Sequence, residues 1–113
     1  MVLAEVERFV QAQIDGSDDP QIARCTIVSD GGRLVLTKPE PDGRKMYIWA
    51  TAREVHTIVR GRECVKTVER LKMCCSEPDT SGTQSEAKAC FDFQCRLDKS
   101  AETHLRMFLR GVI

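Results

Sequence analysis

Apolar residues open the chain at helical spacing. Leu3, Val6, Phe9, Val10 and Ile14 recur every three or four positions, while Glu5, Arg8 and Gln11 fall elsewhere, so residues 1–16 are predicted as an amphipathic leader helix. Gly16 supplies the stop, and Ser17-Asp18-Asp19-Pro20 reads as a polar turn in which the proline blocks further helix. From Ile22 the period shortens. Cys25-Thr26-Ile27-Val28 is β-branched, Asp30-Gly31-Gly32 marks a tight reversal, and Leu34-Val35-Leu36-Thr37 follows as a second strand. Lys38-Pro39-Glu40-Pro41-Asp42-Gly43 cannot sit inside a sheet, because its prolines lack ladder donors, so it is a loop before the return strand Met46-Tyr47-Ile48-Trp49.

The segment from Ala50 to Cys75 admits two readings. As a helix, Val55, Ile58, Val65 and Val68 roughly share a face, interrupted by Gly61. As strands, the run gives one strand before a glycine turn and one or two after it, with Val65, Thr67, Leu71 and Met73 on a face that must also carry Glu69. The β-branched content and the central glycine favour strands. Residues 76–88 hold no hydrophobic anchor and are predicted as a flexible loop. Phe91, Phe93, Cys95 and Leu97 then alternate with Asp92, Gln94 and Arg96, the pattern of a half-buried strand. Asp98 to Ser100 caps a closing helix over 99–112, with Ala101, Leu105, Phe108, Leu109 and Val112 on one face. Glu102 in its first turn and Arg106 and Arg110 near its end follow the order that the helix dipole prefers.

The expectation is a single α+β, mainly β domain over 1–113: a leader helix, about seven short strands within 22–97, and a closing helix that covers the open sheet. That order from Ile22 to Val112 resembles the pleckstrin-homology-like (PH/PTB-type) superfold. The resemblance implies two bent antiparallel sheets plugged at one corner by the C-terminal helix. The helix of that superfold usually carries a buried tryptophan. Here Leu105 or Phe108 would fill its place, since the one tryptophan is Trp49.

Charge narrows the partners. Seventeen basic residues balance seventeen acidic ones in 113 residues, which argues against nucleic acid and against adhesion to an anionic membrane. Phosphoinositide-binding members of the superfold cluster cations around the first hairpin, whereas this chain offers Arg33 beside Asp30, then Lys38, Arg44 and Lys45 among Glu40 and Asp42. Arg53, Arg60, Arg62 and Arg70 add a modest patch.

Six cysteines, at 25, 64, 74, 75, 90 and 95, are read as reduced thiols. Cys74 and Cys75 are adjacent, and Glu5 and Glu7 stand where an export signal would be apolar, so the expected location is the cytoplasm or nucleus, neither secreted nor membrane-spanning. The cysteine spacings suit no tetrahedral zinc site, Cys95 reads as a small core residue, and His56 and His104 read as ordinary polar residues; no metal or cofactor is expected. No phosphate-cradling glycine loop, nucleophile elbow or metal-binding helix motif is present, so the chain is read as not an enzyme.

What remains is a non-catalytic adaptor or scaffold domain for a protein or peptide partner, with Arg53, Arg60, Arg62, Lys38, Arg44 and Lys45 as the partner-binding set and a homodimer through the leader helix as an option. The alternatives are a phosphoinositide-binding PH-type module and, should 52–73 be helical, a small α+β assembly subunit of an RNA-associated complex.

Overall fold

The computed structural model describes residues 2–76 and 89–113. The elements, in order, are α1 (Val2–Asp15), α2 (Pro20–Ala23), β1 (Thr26–Asp30), β2 (Arg33–Thr37), β3 (Lys45–Val59), β4 (Arg62–Ser76), β5 (Ala89–Gln94) and α3 (Lys99–Leu109). The chain is α+β and mainly β, with helices at both ends as the periodicity predicts. All five strands join one antiparallel sheet in sequence order, β1-β2-β3-β4-β5, where the resemblance implies two bent sheets.

Two hairpins of minimal length set the register. Asp30 pairs with Arg33 across Gly31 (φ 57°) and Gly32 (φ 84°), and Val59 pairs with Arg62 across Arg60 (φ 54°) and Gly61 (φ 75°). Both turn residues are left-handed in each case, the geometry that matches strand twist. Arg60 adopts it without the freedom of glycine. The expected seven or so strands are therefore five among the described residues, because β3 and β4 each run unbroken for 15 residues. The return strand ending at Trp49 and the separate run from Arg53 are one strand. Segment 52–73 is strand throughout, apart from the turn.

Among the described residues, the helices cover one face of the sheet. Val6, Val10 and Ile14 of α1 and Ala101, Leu105, Phe108 and Leu109 of α3 are buried with Ile27, Leu34, Leu36, Met46, Ile48, Leu71 and Met73 of the sheet. Each strand presents alternate residues to this inner face, so the apolar positions at spacing two meet apolar positions at spacing three and four. Phe91 and Phe93 join the core edge as their alternation predicts. Arg106 lies over the Phe9 ring at 5.2 Å and ties α3 to α1.

Local chemistry fixes the helix ends. Asp98 accepts a hydrogen bond from the Ala101 amide at 3.0 Å, as expected of the cap. At the far end Gly111 (φ 77°) reverses the chain, with the Gly111 amide donating to the Phe108 carbonyl and the Val112 amide to the Met107 carbonyl. Val112, assigned from the sequence to the apolar face, lies beyond this reversal and is 64% exposed. Pro20 does not merely stop a helix. It opens α2, capped by Asp19, whose carboxylate accepts from the Gln21 amide at 2.8 Å.

One cysteine expectation is overturned. Cys74 and Cys90 face each other across the β4–β5 ladder and are joined by a disulfide, because direct cross-strand partners on one face bring their Cβ atoms within reach. Cys25, Cys64, Cys75 and Cys95 are free. The expected loop over 76–88 lies, from residue 77, outside the described residues. No helix among the described residues is long and apolar enough to cross a membrane.

Candidate functional site

Among the described residues, no helix lies on the outer face of the sheet. Alternation sends Val28 of β1, Val35 of β2, Tyr47 of β3, Cys74 of β4 and Cys90 of β5 to that face, and the pairing lines them up as one transverse row. The neighbouring row is Asp30, Arg33, Trp49, Lys72 and Asp92. Tyr47 and Trp49 are both half-buried. The Arg33 guanidinium lies 4.7 Å from the centre of the Tyr47 ring, and the Arg70 Nε donates to Asp92 Oδ1 at 2.8 Å.

Register also sorts the charges. The residues sharing this outer face include seven cations, Arg33, Lys45, Arg53, Arg62, Lys66, Arg70 and Lys72, and two anions, Asp30 and Asp92. The inner face carries Glu54, Glu63 and Glu69 and neither lysine nor arginine. A chain with no net charge thus has a sheet whose outer side is basic and whose inner side, where uncovered, is acidic. Composition averages over this separation, and only the strand register reveals it.

The six residues singled out from the sequence divide into two groups. Lys45, Arg53 and Arg62 share the outer face, and Arg60 sits at the tip of the β3–β4 hairpin. No ion pair engages Lys45, Arg53, Arg60 or Arg62 among the described residues. Lys38 and Arg44 are committed internally. Lys38 is only 7% exposed, and its Nζ donates at 3.1 Å to the Phe108 carbonyl in the last turn of α3, which also accepts from the Gly111 amide. Lys38 is therefore removed from the partner-binding set. Arg44 grips Asp42 through Nε at 2.8 Å and Nη2 at 3.1 Å and reaches the Ile113 main-chain oxygen through Nη1 at 3.0 Å. This fork holds the Asp42 carboxyl below its ordinary pKa, against the opposing effect of burial. Sequence reasoning missed Tyr47, Trp49, Lys66 and Lys72 as site residues. The odd-numbered spacing of Lys45, Tyr47, Trp49 and Arg53 carried the signal, because residues two apart on a strand share a face.

The nucleophile candidates do not converge. Burial pushes up the thiol pKa of Cys25, of Cys75 and of Cys95, where Glu69 adds to the effect. His104 hydrogen-bonds through Nδ1 to the Ser100 carbonyl at 2.8 Å and packs on Phe91 and Phe93, with ring centres 4.4 and 5.1 Å away. His56 meets Glu63 at 2.9 Å. No hydrogen bond joins either histidine to a cysteine among the described residues. Nor, among these, do three or more His, Cys, Asp or Glu residues gather closely enough to hold a metal ion.

Compared with known proteins, the chain matches no protein-family model, no curated protein and no solved structure.

Proposed function

We propose that the protein is a non-catalytic binding module that holds RNA on the outer face of its sheet; the assembly-subunit alternative, tied to a helical 52–73, falls because that segment is strand. The observation that carries this reading is the separation of charge by strand register, seven cations to two anions around Tyr47 and Trp49. Phosphates need cations spread along a track, and unpaired bases need rings to stack on; this face carries the cations together with the half-buried Tyr47 and Trp49. The balanced composition that argued against nucleic acid speaks for the chain as a whole and not for this surface.

The adaptor reading keeps a specific support of its own. β2 pairs with β3 only along Lys45–Trp49, and β5 pairs with β4 only along Arg70–Cys75. Among the described residues, both outer edges of the hairpin beyond these limits lack a strand neighbour, and a peptide strand added there would meet Arg53, Arg60 and Arg62. The phosphoinositide reading has less support, since Lys38 and Arg44 are occupied by α3 and the C-terminal residue and do not converge on an open pocket. The finer pleckstrin-homology-type reading of the fold draws on the closing helix over the sheet, and the single five-stranded sheet stands against it.

Trp49 is the only tryptophan, so its fluorescence reports directly on the proposed face. Titration with a uridine oligomer of about 20 nucleotides should quench it, with an affinity that falls as salt rises, by a slope of roughly 0.7 per phosphate contacted. Lys72→Ala should weaken binding and lower that slope by about one contact. An emission spectrum unmoved by RNA at low salt would remove the reading. Sedimentation with phosphoinositide vesicles in place of RNA binding would transfer the face to lipid.

A further inference from the structure

The inner face of the sheet has two fates. From Met46 to Ile48, paired with Cys75 to Met73, it lies beneath α1 and α3. Beyond Ala52↔Glu69 the same face continues along the hairpin through Glu54↔Thr67, His56↔Val65 and Ile58↔Glu63, with exposure rising until Ile58 is 79% and Val65 55% exposed. Where α1 begins, an open groove of about 280 Å³ is floored by Ala50 and Ala52 and walled by Val2, Leu3, Glu69 and Cys95. Val65 and Ile58 lie farther along the same face, beyond Glu54 and Thr67.

We propose that this face is the docking site of a cationic amphipathic helix from a protein partner, on the opposite side of the sheet from the proposed RNA surface. Three observations carry it. First, a two-stranded ribbon is marginal alone, and this one exposes Ile58 and Val65 on a face they share with Glu54 and Glu63. Second, helices already cover the same face at its other end, so a further helix would extend an existing layer. The span from Ala52 to Ile58 is six strand steps, about 20 Å, which matches a helix of about 13 residues. Third, the charges select the partner. Glu54, Glu63 and Glu69 lie on this face, which holds no lysine or arginine among the described residues, and His56 stands 2.9 Å from Glu63. Anionic lipid and RNA are repelled by such a face, whereas lysines or arginines flanking an apolar helix stripe are matched by it.

The test uses the full chain and a synthetic leucine–lysine amphipathic peptide of about 14 residues, with its leucine–glutamate counterpart as control. The lysine peptide should shift the backbone amide resonances of Ala52, Glu54, Ile58 and Val65, and the glutamate peptide should leave them in place. The double variant Glu54→Lys, Glu63→Lys should raise the dissociation constant by about tenfold or more. Both positions are exposed, so its core resonances should stay native, and a core that does not would be replaced in the assay by Ile58→Ser. Equal binding of both peptides, shifts confined to the outer face, an unaffected variant, or no shift at about 1 mM peptide would each overturn the proposal. So would concentration-dependent movement of these amides without peptide, which would make a second copy the occupant. RNA binding followed at Trp49 is a separate readout on the other face, so either claim can fail without the other.

Discussion

The two halves of β3 and β4 belong to the same strands and share one ladder, yet they are stabilised differently. Near Met46 and Met73 the inner side chains are fully buried beneath two helices. Past Arg53 and Val68 both faces meet solvent, and the ribbon has only its ladder, its cross-strand pairs and the Arg60-Gly61 turn. Hydrogen-bonded strand geometry is thus insufficient to make a core. Covered apolar area makes it, and the uncovered half is left free to present charge on both sides.

The largest expected contrast follows directly. Phe108→Ala should cost about 3–5 kcal/mol in chemical denaturation, because a fully buried ring leaves a cavity under the sheet. Ile58→Ala, at the exposed end of the same sheet, should stay within ~0.5 kcal/mol. Similar losses at both sites would show that the ribbon is packed in solution and would erase the distinction.

The disulfide comes next. It ties β5 to the covered end of β4 across a sequence separation of 16 residues, so reducing it, or Cys74→Ser with Cys90→Ser, should lower stability by about 3 kcal/mol. Amide hydrogen exchange should speed up at Phe91 and Phe93 and hardly change at Val55 or Val65. Loosening of the ribbon instead would mean that its order depends on β5.

The smallest effect is a pH dependence. The carboxyl of Asp42 is held below its usual pKa by Arg44, so its contribution is present at neutral pH and fades as pH falls through that lowered value. Acid titration followed at the Lys38 and Arg44 amides should show the β2–β3 loop loosening there, with no matching transition in the Asp42→Asn variant. The ribbon contains neither residue and should not follow this titration. If the variant keeps the same acid transition, another group governs the loop.

How much of this was legible in the chain itself varies by element. The leader and closing helices were readable because their apolar spacing repeats over three turns or more, and β5 because it alternates cleanly. The limit of the covered zone was written in the inner residues of β3, which pass from Met46 and Ile48 through Ala50 and Ala52 to Glu54 and His56. The continuity of β3 beyond Trp49 was not legible, because a ladder held by backbone hydrogen bonds and a tight turn needs no apolar alternation. The roles of Lys38 and Arg44 were hidden as well. Both sit in a proline-rich loop that looks solvated, yet α3 and Ile113, about 70 residues away in sequence, supply their acceptors.

Residue order alone determined the local periods: which stretches coil, which extend, where the chain reverses, and which side chains share a strand face. Tertiary structure decided which of the two sheet faces the helices would cover, and therefore that the cations would gather on the open side and the glutamates on the uncovered end of the other. It also decided that Cys74 would meet Cys90. The reason is that periodicity is a property of neighbours in sequence, whereas burial, charge segregation and cross-strand bonding depend on pairs brought together by register and by helices docking from opposite ends of the chain.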